Sequence, residues 1–207
     1  MKTKIITSLV ILFFLSSCVS TMKYTWTKEN YEGKKFNNIL VLAIAKNLEA
    51  RTVFENTVVK ALADDGINAT NSLELFPPVV SVDKLSEEAI ESKIRAGKYD
   101  AVIVSTLVDV NSQDVYEYDD YYYPVPYRYR RHIYYGYGYS YNPGYYRQER
   151  TYVLESRLFD TAEPTMGEAI IWSGQSEITD PSSYESGSKE YAYSMVKTLL
   201  QSEVLKK

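Results

Sequence analysis

Apolar residues form two unbroken runs in the first half of the chain, at residues 39–45 and 101–104. Runs of this length without polar alternation are typical of strands that are covered on both faces. A weaker strand is predicted between them, at residues 67–72. Because two helical segments separate these three strands, the order predicts parallel pairing through right-handed crossovers.

The two helical segments carry their own start and stop signals. In the first, apolar residues recur at helical spacing from Ala50 to Leu62, with Asn47 as the predicted N-cap and Gly66 just after the last turn. In the second, Ser86 is the predicted N-cap and Gly97 the end. Acidic residues in its first turn and basic residues in its last turn match the helix dipole.

The pattern changes in the last third of the chain. Residues 152–158 and 170–178 alternate between apolar and polar positions, which predicts two half-buried antiparallel strands joined by a turn at residues 163–167. A final helix is predicted to begin at Ser182 or Ser183 and to present an apolar stripe. The fold class is therefore α/β, with a single mixed sheet of about five strands, a βαβαβ parallel part, an antiparallel hairpin and three helices.

The amino terminus carries a processing signal. Lys2 and Lys4 precede a short apolar stretch, and the residues Leu15-Ser16-Ser17-Cys18 follow it. This arrangement resembles a bacterial lipobox, which implies cleavage before Cys18, diacylation of that cysteine and lipid anchoring. An apolar stretch of about ten residues is short of the ~20 that a spanning helix needs. Val19 is not an aspartate, and the resemblance to the sorting rule of Gram-negative envelopes implies the outer membrane, with the domain facing the periplasm.

These signals divide the chain into three parts. Residues 1–17 are the predicted signal peptide, residues 18–35 a lipid-anchored tether, and residues 36–207 the α/β domain with a Tyr-rich insert at 113–149. The tether composition suits either a flexible linker or an edge segment that packs on the domain. Trp26 in this segment is expected to pack on the domain, since a lone indole is usually buried surface.

Composition and charge narrow the partners. Removing residues 1–17 takes away two lysines and no acidic residue, which leaves 21 basic and 27 acidic residues and a formal charge of −6. An acidic chain without a basic half argues against nucleic acid as a partner. Cys18 is the only cysteine, and its lipidation would leave neither a disulfide nor a catalytic thiol.

The most unusual segment is the insert. Between residues 116 and 146, 14 of 31 residues are tyrosine. Acidic residues come first along it and arginines later, and it is far longer than the usual connection of about 4 to 6 residues. In an extended chain, alternate rings would share one face. The candidate contact residues are Arg128, Arg130, Tyr135, Tyr137, Tyr139 and Tyr141.

Three interpretations of the insert stay open. It is a mobile low-complexity loop, given its prolines and glycines. It is a surface for another protein, since tyrosine and arginine dominate binding hot spots. Or it binds a glycan by stacking phenol rings on sugar faces.

Motifs for chemistry are missing. His132 is the only histidine and cannot form a zinc site alone, and no nucleophile elbow, phosphate loop or dinucleotide fingerprint is present. The sequence therefore predicts no catalytic residue, no cofactor and no metal. Arg51 and Glu55 stand four residues apart on the first helix, where they are predicted to form either a surface pair or an anchor between helix and sheet. The alternative, a ligand-binding role, would require a pocket around them.

Several short motifs occur in an order that resembles a family of small bacterial envelope lipoproteins of unassigned function. They are Trp26, Tyr31-Glu32-Gly33, Phe36 before the strand at 39–44, Arg51-Thr52-Val53-Phe54-Glu55, Leu62, Gly66-Ile67 and Leu75-Phe76-Pro77. The α/β domain of this family is similar in arrangement to the N-terminal domain of TolB and to the envelope lipoproteins LpoB and CsgG. The resemblance implies no enzyme activity; it implies binding to another envelope protein or self-association. The Tyr-rich insert departs from the family pattern.

These observations predict a non-enzymatic accessory or scaffold protein of an envelope complex, held at the outer membrane by lipid. The alternative is a module that uses the insert to bind envelope glycan, either peptidoglycan or another polysaccharide.

Overall fold

The computed structural model describes residues 22–78, 85–117, 121–129, 132–140, 144–163 and 166–206. At residues 87, 121–129, 132–140, 166 and 167 it describes the backbone only. The predicted signal peptide and Cys18 lie outside these ranges, so their processing stays a prediction.

The described residues form one mixed sheet of six strands and a separate two-stranded pair. The strands are β1 Tyr24–Thr27, β2 Ile39–Ile44, β3 Ala69–Asn71, β4 Ala101–Glu117, β5 Tyr121–Tyr129, β6 His132–Ser140, β7 Tyr145–Asp160 and β8 Ile170–Thr179. The order in the sheet is β1-β8-β7-β4-β2-β3, and β5 pairs with β6. Strand β2 is parallel to β3 and β4, whereas the β4–β7, β7–β8 and β8–β1 pairs are antiparallel.

The predicted α/β class, the parallel βαβαβ part and the antiparallel hairpin are confirmed. Three helices accompany the sheet, α1 Leu48–Asp64, α2 Glu87–Ala96 and α3 Tyr184–Gln201, together with a single helical turn, Met166–Ala169. The side chains of Asn47, Ser86 and Ser183 accept a hydrogen bond from a first-turn amide, as N-caps do. No helix within the described ranges has both the length and the apolar character needed to cross a bilayer.

Two apolar clusters cover the sheet. On one face, β2, β4, β7 and β8 pack against α1 and α3 around the fully buried Trp172, Leu158 and Tyr191. On the other face, Leu40, Leu42 and Val102 pack under the α2 region. Both faces of β2 are therefore covered, which is why its sequence is an unbroken apolar run.

The count of about five strands in the sheet is wrong, because β1 adds a sixth at the edge. The segment after Cys18 was predicted to be either a flexible linker or an edge segment of the domain. Tyr24–Thr27 is an edge segment, because it pairs with β8. Trp26, which was expected to pack on the domain, is only half covered, since the residue is 51% exposed. Residues 24–27 alternate aromatic and threonine side chains, but four residues are too few for that alternation to stand out from a linker.

Candidate functional site

The outstanding feature of the surface is a two-stranded ribbon that continues from the sheet. Strand β4 pairs with β2 only as far as Thr106, and β7 pairs with β8 only from Thr151 onward. Beyond Thr106, β4 pairs only with β7, from Leu107 opposite Leu154 to Glu117 opposite Tyr145. From Arg150 back to Tyr145, β7 in turn pairs with β4 alone among the described strands. At these residues the insert is regular β structure, so a loop is the wrong description of them.

Apolar side chains stand exposed along this ribbon. The large exposed hydrophobic residues there are Leu107, Val108, Val110, Tyr116, Tyr145 and Tyr146. The rings of Tyr116 and Tyr146 meet edge to face with centroids 5.1 Å apart, which orders both side chains. A ribbon that leaves such residues in solvent presents a ready contact surface.

Strands β5 and β6 form a hairpin within the insert. Their register runs from Tyr121 opposite Ser140 to Tyr129 opposite His132. The backbone of this hairpin contains four of the candidate contact residues, Arg128, Tyr135, Tyr137 and Tyr139. Arg130 and Tyr141 lie outside the described residues. The three tyrosines occupy alternate positions of β6, as the sequence pattern predicted for an extended chain.

Charged side chains tie the ribbon together and to the end of β8. Arg147 lies 2.9 Å from Glu117 across the strand pair, through Nε and Oε1, and also contacts the carboxylate of Asp180. Tyr145 donates to the other Glu117 oxygen at 2.6 Å, and the Arg150 amide donates to Asp180 at 2.8 Å. Glu117, an acidic residue that comes early in the insert, thus meets Arg147, a basic residue that comes late.

These contacts change the acidity of the groups involved. The hydrogen bond from Tyr145, followed by that from Arg147, holds the pKa of Glu117 below its ordinary value. The Arg150 backbone amide and the Arg147 guanidinium likewise lower the pKa of Asp180. Lowered pKa values mean that the ion pairs are fully formed at neutral pH and are lost as the pH falls through them.

Replacing Arg147 with glutamine should loosen the ribbon without unfolding the domain. We expect amides at 113–117 and 145–149 to exchange with deuterium several-fold faster, because the cross-strand ion pair is gone. The control is Arg157→Gln, since Arg157 pairs with Glu155 on its own strand. Equal exchange rates in both variants would contradict a clamping role for Arg147.

A second polar cluster lies where the parallel strands end, beneath α1. The Glu55 side chain is fully buried and accepts hydrogen bonds from the Ala43 amide, the Ser72 amide and the Ser72 hydroxyl at 2.8–2.9 Å. Arg51 donates to Glu55 at 3.0 Å and to Ser72 and the Phe76 carbonyl at 2.8 Å. Arg51 and Glu55 are therefore an anchor between helix and sheet, and the surface-pair alternative is wrong.

A third polar group, around Asp160, joins the amino-terminal segment to the sheet. Lys34 lies 2.5 Å from the buried Asp160 carboxylate, and the Tyr31 hydroxyl donates to it at 3.3 Å. Burial, followed by the negative charge of Asp160, raises the pKa of the Tyr31 phenol. The side chain of Asp160 thus serves as a structural acceptor.

Metal-binding groups are not assembled in the described part of the chain. No three or more His, Cys, Asp or Glu residues come together there as metal ligands would. His132 lies at the first position of β6, opposite Tyr129.

Comparison with known proteins gives structural likenesses only. No protein-family model matches the sequence, and no curated protein matches it significantly. Among solved structures, the PelC dodecamer of Paraburkholderia phytofirmans is 13% identical over 89% of this chain and 97% of its own, with a TM-score of 0.42. The lipoprotein GNA1162 of Neisseria meningitidis is 15% identical over 80% of this chain and 99% of its own, with a TM-score of 0.40.

A third solved structure, a PDZ domain protein of Parabacteroides distasonis, is 13% identical over 98% of this chain and 40% of its own, with a TM-score of 0.42. Similarities at this level carry no argument about function. The expected similarity to TolB, LpoB and CsgG stays a prediction.

The sequence did not predict that the start of the ribbon, where β4 leaves β2, is exposed. Leu107, Val108 and Val110 continue the apolar start of β4 and gave no sign of being exposed. The available signal was the charge order of the insert, because acids early and arginines late are what an antiparallel pair brings face to face.

Proposed function

We propose that this chain is a lipoprotein anchored in the outer membrane through Cys18, and that it acts as a non-enzymatic accessory or scaffold protein of a periplasmic envelope complex. The lipobox-like sequence supports the anchoring. The absence of nucleophile, dinucleotide and phosphate-loop motifs from the sequence favours binding over catalysis. The ribbon supports a role in contacting another protein.

The ribbon is the observation that carries the binding role. From Leu107 to Glu117, the outer edge of β4 pairs with no other described strand. Such an edge presents unpaired N–H and C=O groups, to which an extended partner segment adds as a further strand. Val110 and its exposed neighbours supply apolar contacts beside these backbone groups.

The experiment places a photo-crosslinking amino acid at Val110 or Tyr146 in the full chain in whole cells. We expect crosslinks from both ribbon positions to the same one or few envelope proteins. The control position is Tyr193, which is 47% exposed on α3. Crosslinks of equal yield and identity from Tyr193, or none from the ribbon, would contradict a binding role for the ribbon.

A glycan-binding module is the second candidate. The observation in its favour is that Tyr135, Tyr137 and Tyr139 occupy alternate positions of a regular strand. Stacking on sugars would use such a row of rings.

Sedimentation with purified cell-wall sacculi tests the glycan candidate. The soluble chain from Ser20 onward is compared with a variant in which an Asn-Gly turn joins Val115 to Arg147, two residues that are register partners. Pelleting that is lost in the shortened variant and after replacement of the four tyrosines at 135, 137, 139 and 141 by leucine would favour glycan binding. No pelleting of the intact chain would remove peptidoglycan as the ligand.

A further inference from the structure

Strand β1 carries two exposed aromatic side chains at the edge of the sheet. Tyr24 is 62% exposed and Trp26 is 51% exposed, although aromatic side chains of this size are usually covered. They occupy alternate positions of the strand, opposite Gln175 and Ser173 of β8. The two rings therefore lie on the same face of the sheet.

The strand register shows which face this is. Thr27 lies opposite Trp172, whose side chain is buried in the cluster under α1 and α3. Because Trp26 is adjacent to Thr27, its side chain projects from the other face. That face carries ion pairs near β1, Lys23 with Glu177 and Arg157 with Glu155. The surface is thus a pair of aromatic rings among charged side chains.

Only a short stretch of chain separates Cys18 from the folded domain. Met22 is already part of the buried core, and its amide donates to the Thr198 hydroxyl of α3. Four residue steps separate it from Cys18, and a fully extended chain of that length spans about 14 Å. If Cys18 carries lipid, as proposed above, the bilayer surface lies within this reach of the β1 edge.

The end of the ribbon cannot be the part of the domain that faces the bilayer. Through β8, Tyr24 lies at the level of Glu155 of β7. From Glu155 to Tyr145 the strand extends by ten residues, or about 33 Å. Met22, from which the reach of the anchor is counted, lies two residues nearer the ribbon end, which leaves about 26 Å. A bilayer lying across the end of the ribbon would therefore be beyond the reach of the anchor. Inserting the ribbon would bury unpaired edge groups in hydrocarbon, at several kcal/mol each.

We propose that the β1 edge rests on the membrane surface, with Tyr24 and Trp26 in the headgroup layer. Amphipathic rings favour this zone, because the ring leaves water while the polar tip stays hydrated. The surrounding ion pairs, Lys23 with Glu177 and Arg157 with Glu155, stay in the hydrated headgroup layer. The domain then lies on its side, and the ribbon extends along the membrane, where its partner would be reached.

The two tryptophans of the chain make this measurable, since Trp172 is fully buried and Trp26 is exposed. The chain from Cys18 onward is coupled through its single cysteine to maleimide lipid in vesicles of phosphatidylethanolamine and phosphatidylglycerol. We expect Trp26 emission to shift to shorter wavelength, to be quenched by lipids brominated near the headgroup, and to lose quenching by aqueous iodide. Trp26→Phe should abolish all three changes.

A matched variant moves the probe to α3, which packs on the other face of the sheet. In Trp26→Phe/Tyr193→Trp, the new indole should stay accessible to iodide and should not be quenched by brominated lipid. Equal lipid quenching of both probes, or continued iodide quenching of Trp26 on vesicles, would overturn the proposal. Shielding of Trp26 without lipid quenching would also overturn it and would indicate contact between copies of the chain.

The vesicle experiment does not depend on whether Cys18 is lipidated in the cell. Chemical coupling through Cys18 does not require lipidation in the cell, so its result concerns the docking surface alone. Whether Cys18 is lipidated is read from the mass of the protein purified from cells. An unmodified cysteine would contradict the anchoring proposal and would leave the vesicle result unchanged.

Discussion

Replacing Glu55 with alanine should lower the free energy of unfolding by about 3–5 kcal/mol, the cost typical of breaking a buried ion pair by removing one partner. The Arg51 guanidinium would stay buried without its carboxylate, and the amides of Ala43 and Ser72 would lose their acceptor. Urea unfolding of the soluble chain from Ser20 onward measures the change. A lowered midpoint with an unchanged slope would show that stability alone is affected.

The matched control lies on the same helix. Lys60 and Asp64 form an ion pair with the same spacing as Arg51 and Glu55, but both side chains are more than 60% exposed. Asp64→Ala should cost less than about 0.5 kcal/mol, because water screens the exposed pair. The loss of stability in Glu55→Gln should fall between those of the two alanine variants. The glutamine keeps one acceptor oxygen but points its amide NH₂ group at donors that need an acceptor. Similar small losses for Glu55→Ala and Asp64→Ala would contradict the anchoring role.

Replacing Gly33 with alanine should destabilise the chain more than the same change at Gly66. Both glycines have positive φ, +62° and +77°, which costs an alanine about 1–2 kcal/mol. A Cβ at Gly66 meets nothing, whereas a Cβ at Gly33 would lie 2.2 Å from the Glu203 carbonyl oxygen. Backbone at that distance must move, which we expect to add about 1–3 kcal/mol.

The backbone that would have to move belongs to the carboxyl-terminal residues 203–206, which pair with the segment around Lys34. Lys34 forms a parallel bridge with Leu205, and the Lys206 amide donates to the Lys34 carbonyl at 3.1 Å. Thermal unfolding of the two alanine variants measures the difference. Amide exchange at residues 203–206 should be faster in Gly33→Ala and unchanged in Gly66→Ala. Equal melting temperatures for the two variants would contradict the prediction, because they would show that the carboxyl-terminal segment moves aside with no loss of stability.

Local chemistry allowed much of the fold to be predicted. The helices were predictable because Asn47 and Ser86 offer side-chain acceptors at the first turn and Gly66 has the freedom to adopt positive φ. The unbroken run of β2 reflected burial on both faces. The pairing of strand β1 was not predictable, because it is four residues long and its hydrogen bonds go to a strand about 150 residues later in the chain.

The candidate functional residues were likewise predictable only in part. The alternation of tyrosines in the insert predicted extended structure, and β6 adopts it. No hydrophobic period marks the continuation of β4 and β7 as a ribbon, because both strands there lie in solvent, and the charge order of the insert was the signal left for it. The burial of Arg51 and Glu55 was equally hidden, because their partners Ala43 and Ser72 come from two separate strand ends.

By itself, the sequence determined the periodicity of the helices and central strands and predicted a lipid attachment at Cys18. Only the tertiary structure decided which strand edges stay open and which charges lose contact with water. The physical reason is range: caps and periodicity act within a few residues, whereas exposure depends on segments that meet only after folding. The ribbon and the aromatic edge of β1, on which both functional proposals rest, belong to this second class.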